Sequence, residues 1–223
     1  IQTARQAYGQ RSRISYSPNN KPEDTLMEPI DPGLYIHIPF CTSKCNYCDF
    51  YSIVPGDAGV AERYLDALEI ELRRLPQDFR PRTVYMGGGT PTALPETLLD
   101  RLLACVRRTA DCSQVLEWTV EANPDTLTDG RMRILQGAGV SRISLGIQTF
   151  SQEGLELMGR THTAAAAAKA CRLARHAGIA NLSVDGIYLR EHAVRLRLLF
   201  SAHRARSLGF VHDEAYASRE LRS

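Results

Sequence analysis

The sequence has no excess of charge of either sign and no long apolar run. Lys and Arg number 27 against 25 Asp and Glu, a formal net charge of +2, so the chain lacks the basic surplus typical of nucleic-acid binders. Its one long alanine stretch is interrupted by Lys169 and Arg172, whereas about 20 apolar residues are needed to cross a bilayer. We therefore expect neither a nucleic-acid partner nor a membrane span.

Cysteine is also scarce, with six in 223 residues, which is too few for a disulfide scaffold. Cys105, Cys112 and Cys171 are scattered through segments with helical patterning, and we interpret them as packing residues. The other three crowd into one short stretch. The concentration of three cysteines in one short stretch is the first indication of a functional site.

The chain divides by composition into three regions. Residues 1–33 are rich in Ser, Asn, Gln and Pro, and four basic residues precede the first acid, Glu23. We expect a polar, disordered lead-in here, with the end of an organellar transit peptide as the alternative. Because the chain begins with Ile1 and not with Met, we also expect a missing N-terminal piece. Residues 34–189 form the core, and residues 190–223, with seven arginines against four acids, are an unassigned basic tail, helical or disordered and without a predicted strand.

Within the core, short β-rich runs alternate with helix-periodic stretches, the pattern of βα units around a parallel sheet. The predicted strands are residues 34–38, 83–86, 116–121, 142–147 and 182–187. The fold class that follows is α/β, a partial (βα) barrel of parallel strands with outer helices, incomplete at the C-terminus.

The helix boundaries are predicted from capping residues. An apolar stripe between residues 60 and 75 marks the first helix, and Pro95 suits the first position of the second. Thr128 and Thr163 are predicted N-caps of later helices, and Gly137 and Gly178 are predicted stops.

Cys41, Cys45 and Cys48 directly follow the first predicted strand in C-x3-C-x2-C spacing. Structural zinc sites take four protein ligands, commonly as two separated C-x2-C pairs. No second pair exists here, although His37 could supply a fourth ligand. A 4Fe-4S cluster held by three cysteines leaves one iron free for an outside ligand, so the spacing favours the cluster over zinc.

This cysteine loop resembles the signature of the radical S-adenosylmethionine superfamily, where it follows the first strand of a partial βα barrel. Five further segments between about Leu34 and Tyr188 resemble one branch, the anaerobic coproporphyrinogen III oxidase family and its heme-chaperone (HemW-like) relatives. The resemblance implies a 4Fe-4S cluster and S-adenosylmethionine as cofactors. It also implies reductive cleavage of S-adenosylmethionine to a 5′-deoxyadenosyl radical.

Glycines and polar residues stand where the predicted strands end. A glycine triplet follows the second strand, and no Gly-Lys-Ser or Gly-Lys-Thr follows it, so it is not a phosphate loop. A zwitterionic sulfonium ligand with a ribose calls for carboxylates near its amine and hydroxyls and a guanidinium near its carboxylate. Taken singly, each polar residue is more often a surface ion pair or a helix cap. At the family's spacing, the resemblance assigns to the S-adenosylmethionine site Tyr35, Gly88, Gly89, Thr90, Glu121, Gln148, Arg160 and Asp185.

One residue separates the two functions that the family offers. The oxidase has a fourth cysteine two residues after the third, whereas this chain has Phe50 there, as HemW-like proteins do. We predict a heme chaperone that binds heme or another porphyrin and passes heme to an acceptor protein, whose identity the sequence leaves unknown. The alternative is an oxygen-independent coproporphyrinogen III oxidase, which decarboxylates propionates in porphyrin biosynthesis, so whether the chain is an enzyme stays open.

The resemblance stops at about Tyr188. The family continues with Gly-Leu-Pro where this chain has Leu189 and Arg190, so we expect a truncated or frameshifted sequence, with an inactive fragment as a third alternative. We expect three tail histidines to be solvent-exposed and not to be heme ligands: His192, His203 and His212. Oxygen lability of a cluster favours a cytoplasmic location, or alternatively a mitochondrial matrix or chloroplast stroma.

Overall fold

The computed structural model describes residues 32–179, 181–187 and 213–216. The chain divides into two units, Ile1–Ile30 and Asp31–Ser223, and all of the described residues belong to the second. The strands are β1 Gly33–Ile38, β2 Thr83–Gly88, β3 Glu117–Ala122, β4 Arg142–Gln148, β5 Asn181–Ile187 and β6 Asp213–Tyr216. The helices are α1 Ala58–Leu72, α2 Glu96–Thr109, α3 Asp129–Ala138, α4 Gln152–Leu157 and α5 Ala164–His176, with 3₁₀ turns at Pro91–Ala93 and Cys112–Gln114.

The six strands form one parallel sheet in the sequential order β1-β2-β3-β4-β5-β6. Helices connect successive strands from β1 to β5, as in a βα barrel. Because β1 and β6 each pair with a single neighbour, the described part of the sheet is open. The predicted partial α/β barrel is confirmed.

The five predicted strands are present, each with its ends within two residues of the prediction. β6 was not predicted: it pairs with β5 from Val184↔Asp213 to Ile187↔Tyr216, although its sequence, Asp-Glu-Ala-Tyr, has no apolar alternation. Backbone pairing with the edge of β5, and not intrinsic propensity, makes it a strand. The expected lead-in ends earlier than predicted, because Gly33 is the first residue of β1. Its residues 1–31, the rest of the expected tail and the three tail histidines lie outside the described residues.

The alternation of side chains along β1 separates the core from the polar face. Ile36 and Ile38 are buried in the core cluster, while Tyr35 and His37 point to the opposite face of the sheet. That face is polar on the central strands, where Arg142 donates to Thr119 Oγ1 at 3.3 Å and to Ser183 Oγ at 3.0 Å. The sheet therefore packs one face on helices and lines the barrel interior with the other.

The predicted helix starts are confirmed for α3 and α5. Thr128 Oγ1 accepts a hydrogen bond from Arg131 N–H, and Thr163 Oγ1 accepts one from Ala166 N–H, each at 3.1 Å, which satisfies a backbone donor that the first helical turn leaves free. Pro95 is the N-cap residue of α2 and not its first helical residue.

One predicted helix end is displaced. Gly137 lies inside α3, which ends at Ala138 with Gly139 in the left-handed conformation (φ +94°), because the left-handed C-cap position is the one that requires glycine. Gly178 (φ +83°) follows α5 as predicted. No helix in the described part of the chain is both long and apolar enough to span a bilayer.

Candidate functional site

A cavity of about 460 Å³ opens at the carboxyl ends of the strands, a size usual for small-molecule sites. Ten of the eleven residues predicted for cluster and cofactor line it: Cys41, Cys45, Cys48, Gly88, Gly89, Thr90, Glu121, Gln148, Arg160 and Asp185. Tyr35 is not among the lining residues. It is 58% exposed and stacks on Tyr85, which does line the cavity, with ring centroids 6.0 Å apart.

The cysteine loop is anchored to the end of β1 by backbone hydrogen bonds. Cys41 N–H donates to Ile53 O at 2.9 Å, and Ile53 N–H donates to Pro39 O at 2.7 Å. Lys44 Nζ crosses the loop to Phe50 O at 2.9 Å and to Ser52 Oγ at 3.1 Å. These contacts close residues 41–53 into a loop that faces the cavity.

The three loop thiols are free and half-buried. Cys41 Sγ lies 3.8 Å from Thr90 Oγ1, on the loop after β2. Cys45 Sγ accepts a hydrogen bond from Arg160 Nη1 at 3.3 Å. Both sulfurs therefore contact polar groups of other segments in the same cavity, Thr90 after β2 and Arg160 after α4.

The other cysteines do not line the cavity. Cys105 and Cys171 are each 1% exposed in the core, and burial raises the pKa of both thiols, that of Cys171 to about 12. Cys112 is half-buried at the start of a 3₁₀ turn. A neutral, buried thiol packs as a small apolar group, which confirms the interpretation of Cys105 and Cys171.

The structure gives no support to a zinc site that includes His37. Its Nε2 lies 3.0 Å from Tyr51 O and its Nδ1 2.9 Å from Tyr35 Oη, so both ring nitrogens are engaged away from the thiols. Among residues 32–179 and 181–187, no three His, Cys, Asp or Glu side chains converge as ligands of one metal ion. A polynuclear cluster offers separate irons, so its thiolates need not meet at one point.

The glycine triplet is required by packing within the protein. Gly88 has φ +106°, and a Cβ there would enter the His37 ring. A Cβ on Gly89 would lie 2.7 Å from the carbonyl oxygens of Ile38 and Phe40. Glycine thus lets the β2 loop contact the end of β1, and the same backbone then forms a wall of the cavity.

Two carboxylates lie on the sheet side of the cavity. Glu121 accepts hydrogen bonds from Tyr85 Oη at 2.5 Å and from Gly88 N–H at 3.2 Å, and Asp185 accepts one from Ser144 Oγ at 3.0 Å. Burial raises the pKa of Glu121 and the charge of Asp185 raises it further, while its two donors oppose the shift. Each carboxylate is held by donors of the protein and still lines the cavity.

Arg160 connects the cysteine loop to the strand ends. Its Nη2 donates to Asn123 Oδ1 at 2.7 Å and to Gly146 O at 2.5 Å, and its Nη1 contacts Cys45 Sγ and, at 3.5 Å, Tyr47 Oη. The Nη2 contacts are strong and fix the guanidinium plane. The Nη1 contacts are weak, so this edge is free to exchange them for an anionic ligand group.

Among the lining residues that the sequence analysis did not assign, Asn123 and Tyr47 contact predicted site residues. Asn123, directly before Pro124, accepts from Arg160 and donates through Nδ2 to Thr90 Oγ1 at 2.9 Å; its place at a strand end beside Glu121 was the available signal. Tyr47 lies between two cysteines, and burial raises the pKa of its hydroxyl. Both hold other site residues in place.

The residues present fit the two groups that the cysteine spacing and the resemblance imply. Three thiols, the glycine wall, two carboxylates and a guanidinium line the same cavity. Thiolates are the ligands of iron-sulfur clusters, and the remaining groups match the charges of an amino-acid moiety and the hydroxyls of a ribose. The cavity can therefore hold a cluster and a zwitterionic ligand side by side.

Comparison with known proteins agrees with this geometry. Residues 35–192 match the model of the radical SAM superfamily. The chain is 38% identical over 187 residues to the heme chaperone HemW of Bacillus subtilis (strain 168), covering 82% of this chain and 49% of that protein. It is 40% identical over 158 residues to the heme chaperone HemW of Escherichia coli (strain K12), covering 69% of this chain and 41% of the relative.

Among solved structures, the chain is similar to the coproporphyrinogen III oxidase HemN from Escherichia coli, described as a radical SAM enzyme. The TM-score is 0.78 at 28% identity, covering 86% of this chain and 45% of that one. The chain thus spans about half the length, or less, of the relatives that it matches.

Proposed function

The chain belongs to the radical SAM superfamily, and from this premise we propose that it is a heme chaperone that holds a 4Fe-4S cluster and S-adenosylmethionine, binds heme and transfers it to an acceptor protein. The observation that carries the proposal is the cavity itself, which is lined by three free thiols, by the carboxylates of Glu121 and Asp185, and by the guanidinium of Arg160. Identities of 38% and 40% to two HemW proteins support the chaperone assignment.

In this proposal Cys41, Cys45 and Cys48 would hold the 4Fe-4S cluster through their thiolates, next to the residues that would hold S-adenosylmethionine. When bound, the cluster supplies the electron for reductive chemistry on S-adenosylmethionine. The protein's contribution is to orient the ligand and to limit the access of water.

The proposal assigns a role in binding S-adenosylmethionine to each of the other predicted site residues. Gly88, Gly89 and Thr90 form the wall on which the amino-acid moiety lies, and Glu121 and Asp185 accept from its amine and from the ribose hydroxyls. Arg160 offers its Nη1 edge to the ligand carboxylate while Nη2 stays on Asn123 and Gly146. Gln148 supplies an amide at the end of β4.

Tyr35 acts in this proposal from behind Tyr85, on which it stacks. Tyr85 in turn donates to Glu121. Loss of the Tyr35 ring would therefore loosen the Glu121 carboxylate without removing a cavity-lining side chain.

Phe50 favours the chaperone over the oxidase. It lines the cavity beside Cys48 and is 69% exposed, at the position where the oxidase has a fourth cysteine. An exposed phenylalanine presents an aromatic face to a flat apolar ligand. The similarity in fold to the oxidase from Escherichia coli keeps coproporphyrinogen decarboxylation as the second candidate.

The test uses protein expressed anaerobically from its complete reading frame and reconstituted with iron and sulfide. Incubation with coproporphyrinogen III, S-adenosylmethionine and a reductant should give no vinyl product, whereas titration with heme should give a saturable Soret band. Transfer of that heme to a heme-depleted protein should follow. Formation of the vinyl product, or failure to bind heme, would overturn the chaperone assignment.

We propose the cytoplasm as the location, with an organelle matrix or stroma as the alternative, because a cluster with an open iron is damaged by oxidising conditions. Fractionation with a tagged full-length protein tests this. Recovery in a secreted fraction would contradict it.

A further inference from the structure

The end of β4 contains a three-residue turn centred on Gln148. Thr149 N–H donates to Ile147 O at 2.8 Å, which closes a γ-turn around Gln148, and Gln148 has φ +67°. No other residue besides glycine has a positive φ within the described ranges. γ-turns with positive φ at the centre are rare and strained.

The turn directs Gln148 into the cavity. The register between β4 and β5 shifts between Leu145 and Gln148, and irregularities of this kind re-aim a side chain at a strand end. Gln148 lines the cavity, and a non-glycine residue in this conformation persists only when its surroundings hold it. Some group must therefore hold the turn.

Beside the pairing of Gln148 with Gly186 on β5, a side chain that contacts the turn is that of His162. It is 3% exposed, and its Nε2 lies 3.2 Å from Ile147 O, the same carbonyl that closes the turn. A carbonyl only accepts, so Nε2 carries the proton. Burial, together with the charge of Arg160, lowers the pKa of His162 to about 4, so the ring is neutral near pH 7. Within the described chain its Nδ1 has no hydrogen-bond partner.

An incompletely paired, buried histidine is costly. Its one described hydrogen bond is made to the turn that aims Gln148. His162 also lies two residues after Arg160, so the segment that carries the cavity-lining guanidinium also contacts the turn at Gln148.

We propose that His162 is a positioning residue that holds the γ-turn at Gln148 and so keeps the Gln148 amide in the S-adenosylmethionine site. It does not itself line the cavity. The inference rests on the proposed function for the identity of the ligand, but the contact between His162 and the turn does not.

The first experiment compares two substitutions in reconstituted protein by equilibrium dialysis with S-adenosylmethionine. His162→Leu removes the donor and should weaken binding about tenfold, the effect of losing one buried hydrogen bond. His162→Gln keeps an N–H donor and should bind within about threefold of wild type. Met132→Ala, in the core of α3, is the control for lost stability and should leave the affinity unchanged. Wild-type affinity for His162→Leu, or equal losses for both His162 variants, would overturn the proposal.

The second experiment repeats His162→Leu in a Gln148→Gly background, because glycine adopts φ +67° without strain. His162→Leu should then cost little further affinity, since the amide that His162 positions is already absent and the glycine turn no longer needs to be held. An undiminished loss in this background would contradict the proposal.

A readout without ligand separates this inference from the proposed function. Hydrogen exchange of the Thr149 amide, which closes the turn, should speed up about tenfold in His162→Leu and not in His162→Gln. If wild-type protein binds no S-adenosylmethionine, the proposed function fails, and this measurement still decides on His162. Unchanged exchange in His162→Leu would refute the positioning role.

Discussion

Replacement of Gly88 by alanine tests the packing that brings the β2 loop to the end of β1. The new methyl group faces two separate penalties: φ is +106°, and the Cβ would enter the His37 ring. A side chain in a sparsely populated conformation costs about 1–3 kcal/mol, and overpacking adds about 1–3 kcal/mol. The unfolding free energy should therefore fall by about 2–6 kcal/mol, a large part of the 5–15 kcal/mol typical of a domain.

Urea unfolding of the full chain measures this loss. With an m-value of about 2 kcal/mol/M, the midpoint should fall by at least about 1 M. Gly137→Ala is the matched control, because Gly137 lies in α3 and an added Cβ meets nothing within 4 Å. That substitution should leave stability unchanged or raise it by up to about 1 kcal/mol.

A double-mutant cycle separates the two penalties. His37→Ala removes the ring, so in the Gly88→Ala background it should recover about 1–3 kcal/mol, the steric part alone. A wild-type midpoint for Gly88→Ala would refute the argument as a whole. A coupling energy of zero would show that the added methyl group and the ring do not meet.

Three further predictions follow from the site. Replacing Cys41, Cys45 or Cys48 by alanine should abolish the iron-sulfur absorbance of anaerobically reconstituted protein. The same change should leave the absorbance intact in three other variants and cost only about 1 kcal/mol of stability, at Cys105, Cys112 and Cys171. If one of these three proved necessary for the cluster, a fourth cysteine ligand would leave no iron open to S-adenosylmethionine. Glu121→Gln should weaken S-adenosylmethionine binding about tenfold or more in dialysis, because an amide lacks the negative charge that attracts an amine; unchanged affinity would remove Glu121 from the ligand contacts. His162 has a pKa of about 4 in the folded protein against about 6.5 unfolded, so the unfolded chain binds the extra proton between these values. The unfolding free energy should therefore fall by up to about 3 kcal/mol as the pH falls from 6.5 towards 4. In His162→Gln the urea midpoint should depend less on pH across this window. An equally steep pH dependence in that variant would assign it to other groups.

Features that depend on neighbours along the chain could be predicted from the sequence alone. Five of the strands, the apolar stripe of α1 and the caps Thr128 and Thr163 follow from periodicity and from side-chain to backbone hydrogen bonds within one turn. The cysteine loop was equally local, because three thiols within eight residues need no knowledge of the fold to suggest a cluster. That the strand-end residues would meet followed from the parallel topology, since carboxyl ends of parallel strands share one edge of the sheet.

Only the tertiary structure decided which groups hold those residues in place. Arg160 meets Asn123, Gly146 and Cys45 across three separate elements, and no local pattern encodes such a meeting. Glycine is likewise required at Gly88 by the His37 ring and at Gly89 by the backbone that ends β1. No local sequence motif shows these contacts. β6 exists because the edge of β5 offers hydrogen bonds, and Tyr35 lies behind Tyr85 because the register of β1 and β2 puts the two rings side by side. These contacts join residues far apart in sequence, so their energies depend on distances that only the folded chain sets.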